Sequence, residues 1–208
     1  MIDLSLIDRT KTNAIVIRHA EREKMDIGQV EQPLNEIGIK HSMELGEKLK
    51  GFNKYYFFSS PVGRCQQTVE YIQIGLFGCV KESNTLSPLL GKPGVFVVDR
   101  KNNAFLTQSC KKVVIKQIER EPLEGIRGID EGTNMLTNSI IAQSNVAEDG
   151  SLLIFVTHDA IIAPVIFDLT SEKFDYEHWP DFLDGFIIKK NGVSDYKVIR
   201  NGKTFELK

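Results

Sequence analysis

The sequence predicts an α/β protein: a three-layer sandwich with a mostly parallel central sheet, an antiparallel edge, and helices on both faces. Three observations carry that expectation. Ile15-Val16-Ile17 and Leu152-Leu153-Ile154-Phe155-Val156 are short apolar runs without an internal polar residue, as in strands buried on both faces of a parallel sheet. Between and after them strand-like runs alternate with helical patterning, which is how layered α/β folds read. Near the carboxyl end, Gly185 to Lys190 and Tyr196 to Ile199 flank Asn191-Gly192, a hairpin signal that supplies the antiparallel edge.

The elements follow in order. Residues 1 to 12 are polar and mixed, a lead-in to the first strand, which stops at Arg18-His19-Ala20-Glu21-Arg22. A loop containing Gly28 and Pro33 precedes a helical pattern from Leu34 to about Lys50, with Asn35 as its cap and Ile37, Met43, Leu45 and Leu49 near one stripe. Tyr55 to Phe58 is a short aromatic run bounded by polar residues, hence a second strand. Ser59-Ser60-Pro61 reads as a helix start, with a serine cap and proline at the first helical position, and that helix runs toward Gly75. A short strand and a Gly/Pro loop, Gly91 to Gly94, come next. From Lys101 to Ala147 helical patterning is broken by Pro122, Gly125 and Gly128, which gives two or three helices outside the sheet. After the strand ending at Val156 comes Thr157-His158-Asp159 and a further helix.

At 208 residues, without repeats or linkers, the chain is expected to be one domain, with a helical cap insertion at about 92–147. The formal net charge of -2 provides no basic field for nucleic acid. No apolar run is long enough to span a membrane, and the amino terminus shows no signal-peptide h-region. Cys65, Cys79 and Cys110 are widely spaced and form no C-x-x-C pair, so free thiols in a reducing, cytoplasmic compartment are expected.

Three strand ends carry the chemistry: Arg18-His19-x-x-Arg22, Ser59-Ser60-Pro61-x-x-Arg64 and Thr157-His158-Asp159. Open α/β sheets bind ligands at the carboxyl ends of their strands. If these strands are neighbours, their ends converge on one pocket. Guanidinium forks match a phosphate and stay charged at any relevant pH, so Arg18, Arg22 and Arg64 are the expected phosphate ligands. A neutral imidazole is a competent nucleophile, and neighbouring arginines keep His19 neutral. His158 is placed to donate to phosphoryl oxygens, and Asp159 to protonate the leaving group if its pKa is raised. Asp159 also has the position of a helix cap.

These residues resemble the histidine phosphatase superfamily, the phosphoglycerate mutase-like and acid phosphatase-like enzymes. Arg18-His19-Ala20 matches its R-H-G signature with alanine in place of glycine, and Leu34-Asn35-Glu36-Ile37-Gly38 is similar to its L-T-x-x-G. Ser59-Ser60-Pro61-x-x-Arg64-x-x-Gln67-Thr68 matches S-S-P-x-x-R-x-x-Q-T, and Val156-Thr157-His158 matches the segment supplying the second histidine. The resemblance implies that His19 becomes phosphorylated and that Arg18 and Arg64 hold phosphate. It also implies a metal-independent phosphomonoesterase with no cofactor, acting on a small phosphorylated substrate. The mutase-like arm takes its proton donor from a mid-chain glutamate, and Leu86 to Gly94 contains no acid. Arg18-His19-Ala20-Glu21-Arg22 with His158-Asp159 instead resembles the acid phosphatase arm, whose donor is the aspartate.

The rival readings are a mutase, a metal hydrolase built on His19, His158 and Asp159, and a non-catalytic phosphate-binding module. Glu21 and Glu23 are alternative acids; His41 reads as exposed, His178-Trp179 as a surface pair in a late loop with lining of the site's entrance as the alternative, and Cys65 as core.

Overall fold

The computed structural model describes residues 1–23 and 32–207; the loop position Gly28 lies outside them. The strands are β1 (Asn13–Arg18), β2 (Lys54–Ser59), β3 (Asn84–Leu86), β4 (Ser151–Thr157), β5 (Gly185–Lys190), β6 (Tyr196–Arg200) and β7 (Lys203–Glu206). The α-helices are α1 (Glu36–Lys48), α2 (Gly63–Phe77), α3 (Cys110–Ile118), α4 (Ile129–Val146) and α5 (Asp159–Thr170). One sheet takes the strands in the order β3-β2-β4-β1-β5-β6-β7. The first four run parallel and the last three are antiparallel neighbours, so the α/β architecture matches the expected mostly parallel centre and antiparallel edge. β7 extends that edge beyond the hairpin that the sequence signals.

Alternation along the strands builds two cores. Ala14, Val16, Leu153, Phe155, Phe186 and Ile188 face α3, α4 and α5. Ile15, Ile17, Phe57, Leu152, Ile154 and Val156 face α1 and α2. Every residue of β4 is buried, because β4 lies between β1 and β2 with helices over both faces. α4 covers the sheet through Leu136 and Ile140.

Two local expectations are corrected. Asn35 does cap α1, its Oδ1 accepting from Gly38 N at 2.8 Å, but Ile37 is exposed and the buried side is Gly38, Ser42, Leu45 and Gly46. This face is small because α1 packs backbone-close: a Cβ on Gly38 would lie 2.0 Å from Glu21 O. α2 starts at Gly63 rather than at a Ser59–Pro61 cap, and its N-cap Val62 has no capping side chain. Ser59 stays in β2, while Ser60 Oγ accepts from Val62 N at 3.3 Å and turns toward His158.

Candidate active site

Register brings the strand ends together. Arg18 stands opposite Thr157 across the β1–β4 pair, and Ser59 opposite Val156 across β2–β4. The ladders continue one residue past each strand, with His19 N donating to Thr157 O at 2.9 Å and Ser60 N to Val156 O at 3.0 Å. The residues following α/β strands therefore leave the sheet side by side, as the three motifs require.

α2 locks the turn that carries His19. Thr68 Oγ1 accepts from Ala20 N at 3.1 Å and donates to Arg64 O at 2.7 Å, while Gln67 Oε1 accepts from Leu34 N at 2.9 Å. Ala20 is fully buried and keeps a negative φ, so the position has no need of glycine's freedom.

His19 is 2% exposed, and its Nδ1 lies 2.8 Å from Ala20 O. A carbonyl can only accept, so Nδ1 carries the proton and Nε2 presents the lone pair. Arg64 spans both rings: its Nε donates to His19 Nε2 at 2.9 Å, and its Nη2 to His158 Nδ1 at 3.1 Å. His158 is held in turn by Ser60 Oγ, 2.9 Å from its Nε2. Gly91 closes the back of this arrangement with φ +147°, and a Cβ there would lie 2.4 Å from Ser60 Oγ and 2.8 Å from His158 Nε2. Burial lowers the pKa of His19 well below the ordinary imidazole value, with His158, Arg64 and Arg18 adding to the shift. Burial and then Arg64 lower His158 to about 3. Both rings are neutral at ordinary pH.

Arg18 and Asp159 form the second half of the site. Arg18 Nη2 lies 3.0 Å from Asp159 Oδ2, its Nη1 donates to Pro180 O at 2.6 Å, and its Cζ sits 4.1 Å from the Phe182 ring centre. Asp159 Oδ2 also accepts from Trp179 Nε1 at 3.0 Å, and Oδ1 from Ala160 N at 3.0 Å. Burial pushes the Asp159 carboxyl up, but Arg18 and the Trp179 hydrogen bond outweigh it and the pKa ends below the ordinary value. The free protein thus holds a carboxylate here, not the raised-pKa acid that a donor requires. The N-cap of α5 is His158 rather than Asp159.

Arg22 is half-buried and bridged to Leu34. Arg18 Nε and Arg22 Nε are buried donors without a partner among the described residues. Glu21 pairs with His41 at 3.3 Å, so His41 is partly covered rather than free, and Glu23 is exposed. Cys65 packs in the core, and the three cysteines are free thiols. Among the described residues, no three of His, Cys, Asp and Glu gather where they could hold a metal ion. No described helix is long and apolar enough to cross a membrane.

The segment from Trp179 to Phe182 belongs to the site. Trp179 is bound to Asp159, which favours the entrance-lining alternative over a surface aromatic, and Pro180 and Phe182, which the sequence does not single out, hold Arg18. No periodicity or motif in the loop signals these contacts. Ser60, expected in a helix start, and Gly91, expected in a loop, instead line the histidine pair.

Residues 14–86 match the family profile of the histidine phosphatase superfamily (branch 1). No curated protein sequence matches the chain. Among solved structures, the phosphoglycerate mutase from Bacillus anthracis str. Sterne shares 18% identity at a TM-score of 0.60, over 94% of this chain and 95% of its own. A mycobacterial glucosyl-3-phosphoglycerate phosphatase shares 13% identity at a TM-score of 0.58, over 90% of this chain and 97% of its own. The protein histidine phosphatase SixA, in complex with tungstate, shares 15% identity at a TM-score of 0.52, over 93% of this chain and 96% of its own. At these identities the likenesses establish the fold, which is phosphoglycerate mutase-like. The profile match thus covers the segment from β1 through β3, and the solved structures extend the likeness in fold, not in sequence, to nearly the whole chain.

Proposed function

We propose that this chain is a phosphomonoesterase of the acid phosphatase-like kind. His19 is its nucleophile, Asp159 its general acid, and Arg18, Arg22 and Arg64 its phosphate ligands. The observation that carries the reading is the His19 ring, whose proton is pinned on Nδ1 by Ala20 O so that Nε2 faces Arg64 and His158.

A phosphate dianion competes for the guanidinium groups, because charge-assisted bonds to its oxygens are stronger than a bond to a neutral ring nitrogen. Arg64 is drawn from Nε2 and Arg18 from Asp159. Losing its cation to an arriving dianion raises the proton affinity of Asp159, which takes a proton. Nε2 then attacks phosphorus. The P–O bond breaks, its electrons go to the ester oxygen, and Asp159 protonates that oxygen, leaving an alcohol, a carboxylate and an N-phosphoimidazolium whose Nδ1–H stays on Ala20 O. In the second half Asp159 takes a proton from water as the water oxygen attacks phosphorus. The P–N bond breaks, its electrons return to Nε2, and inorganic phosphate leaves.

The mutase reading has support from one fold neighbour. Against it, Leu86 to Gly94 borders the pocket through Leu90 and Gly91 and offers no acid. A metal hydrolase would have to seat a cation among Arg18, Arg22 and Arg64. Rapid-quench labelling with a phosphomonoester tests the proposal. An acid-labile, alkali-stable phosphoryl group on His19, with release of free phosphate, is expected; label on another residue, or no turnover over a broad panel of monoesters, overturns it.

A further inference from the structure

Resting on the reading of Asp159 as leaving-group acid, we propose that Trp179 is its positioning residue. Trp179 fixes the direction of the carboxyl and, as a hydrogen-bond donor to it, holds down its proton affinity. The two residues are 20 apart in sequence, yet the indole Nε1 lies 3.0 Å from Oδ2. Oδ2 is the oxygen that Arg18 also contacts, whereas Oδ1 is occupied by the backbone of Ala160. When phosphate draws Arg18 away, Trp179 remains as the side-chain donor on Oδ2.

The indole is itself held. Lys111 Nζ lies 5.1 Å from the centre of its ring and 3.3 Å from Tyr176 O, so α3 lays a cation over the face. Asp175 Oδ1 accepts from Glu177 N at 2.8 Å and His178 N at 2.7 Å, which closes the turn just before Trp179. The charged and titratable groups facing Asp159 come from every side: Arg18 at the end of β1 and His19 just after it, Arg64 and Cys65 on α2, Cys110 on α3, and His158 at the N-cap of its own helix. Among these, Arg18 and Arg64 are the cations that favour carboxylate, and substrate phosphate offsets both. Trp179 is neutral, so its contribution survives binding.

Two measurements on the full chain test the inference. Trp179→Phe removes the donor and keeps an aromatic ring. Removing one hydrogen bond to a carboxylate should shift the falling, alkaline-side limb of kcat/KM for an alkyl phosphate upward by about one pH unit. Lost orientation should lower kcat for that ester by about tenfold with little change in KM. In an Asp159→Asn background the same substitution should have almost no further effect. The second measurement needs no activity. Trp179 is the only tryptophan, so one indole N–H signal reports the contact by NMR, and it should move in Asp159→Asn and on adding vanadate. An unshifted limb in Trp179→Phe, or an indole signal identical in wild type and Asp159→Asn, overturns the inference. If instead Asp159→Asn slows alkyl and aryl esters equally, the donor reading itself has failed, whatever the indole shows.

Discussion

At the floor of the site, where the strands end, His19, Arg64 and His158 sit within one hydrogen-bond chain because β1, β2 and β4 are parallel and in register. At its rim, Trp179, Pro180 and Phe182 reach Asp159 and Arg18 from a loop that belongs to no strand or helix. The floor is specified by many backbone bonds that any buried α/β sheet makes. The rim is specified by individual side chains, among them Arg200 of β6, whose guanidinium binds both Glu172 and Asp184 and ties the loop's two ends to the sheet. The floor's residues stand at strand ends, where short motifs mark them in the sequence. The rim rests on single side-chain contacts that no local pattern marks, and it reaches the proposed proton donor.

The largest expected effect is at the floor. His19→Ala should abolish turnover while the fold survives, since it removes the nucleophile. A folded variant within tenfold of wild-type activity would break the covalent route. Asp159 stands where floor and rim meet, and Asp159→Asn should slow an alkyl phosphate by roughly 10²–10⁴ and an aryl phosphate with an acidic phenol far less. Equal slowing of both esters would assign Asp159 to holding Arg18 alone, and the rim would lose its part in proton transfer.

Next in size, Arg64→Ala should cost about 10²–10³ in rate, the magnitude of one lost charge-stabilising donor, and should weaken vanadate inhibition in parallel. Unchanged rate and vanadate affinity would mean that the three strand ends do not share a ligand.

The smallest effect is on stability. His19 and His158 are lowered by burial, so below the free imidazole value near 6.5 the unfolded chain binds protons that the folded one does not. Stability should be full above about pH 6.5 and fall as pH drops toward the value of about 3 for His158, by about 1.4 kcal/mol per pH unit for each histidine. Denaturant midpoints of wild type and His158→Phe at pH 7 and pH 4.5 check this; the variant should show the shallower slope. Identical slopes would mean that His158 is charged in the folded protein.

The histidines illustrate how far sequence carries. The sequence by itself determined the buried strands around 15–17 and 151–156, the helix capped by Asn35, and the Asn191-Gly192 hairpin, because each rests on local periodicity or one turn's chemistry. Through its motifs it also singled out His19, Arg18, Arg64 and His158, which parallel register then gathers. Tertiary structure alone decided three things. Ser60 turns to His158 instead of capping α2, because the hydroxyl finds an imidazole across the β2–β4 pair. Gly91 is required by ring atoms that are remote in sequence. Asp159 rests as a carboxylate, since a carboxyl's proton affinity follows from the cations and donors around it, here Arg18 and Trp179 arriving from two other parts of the chain.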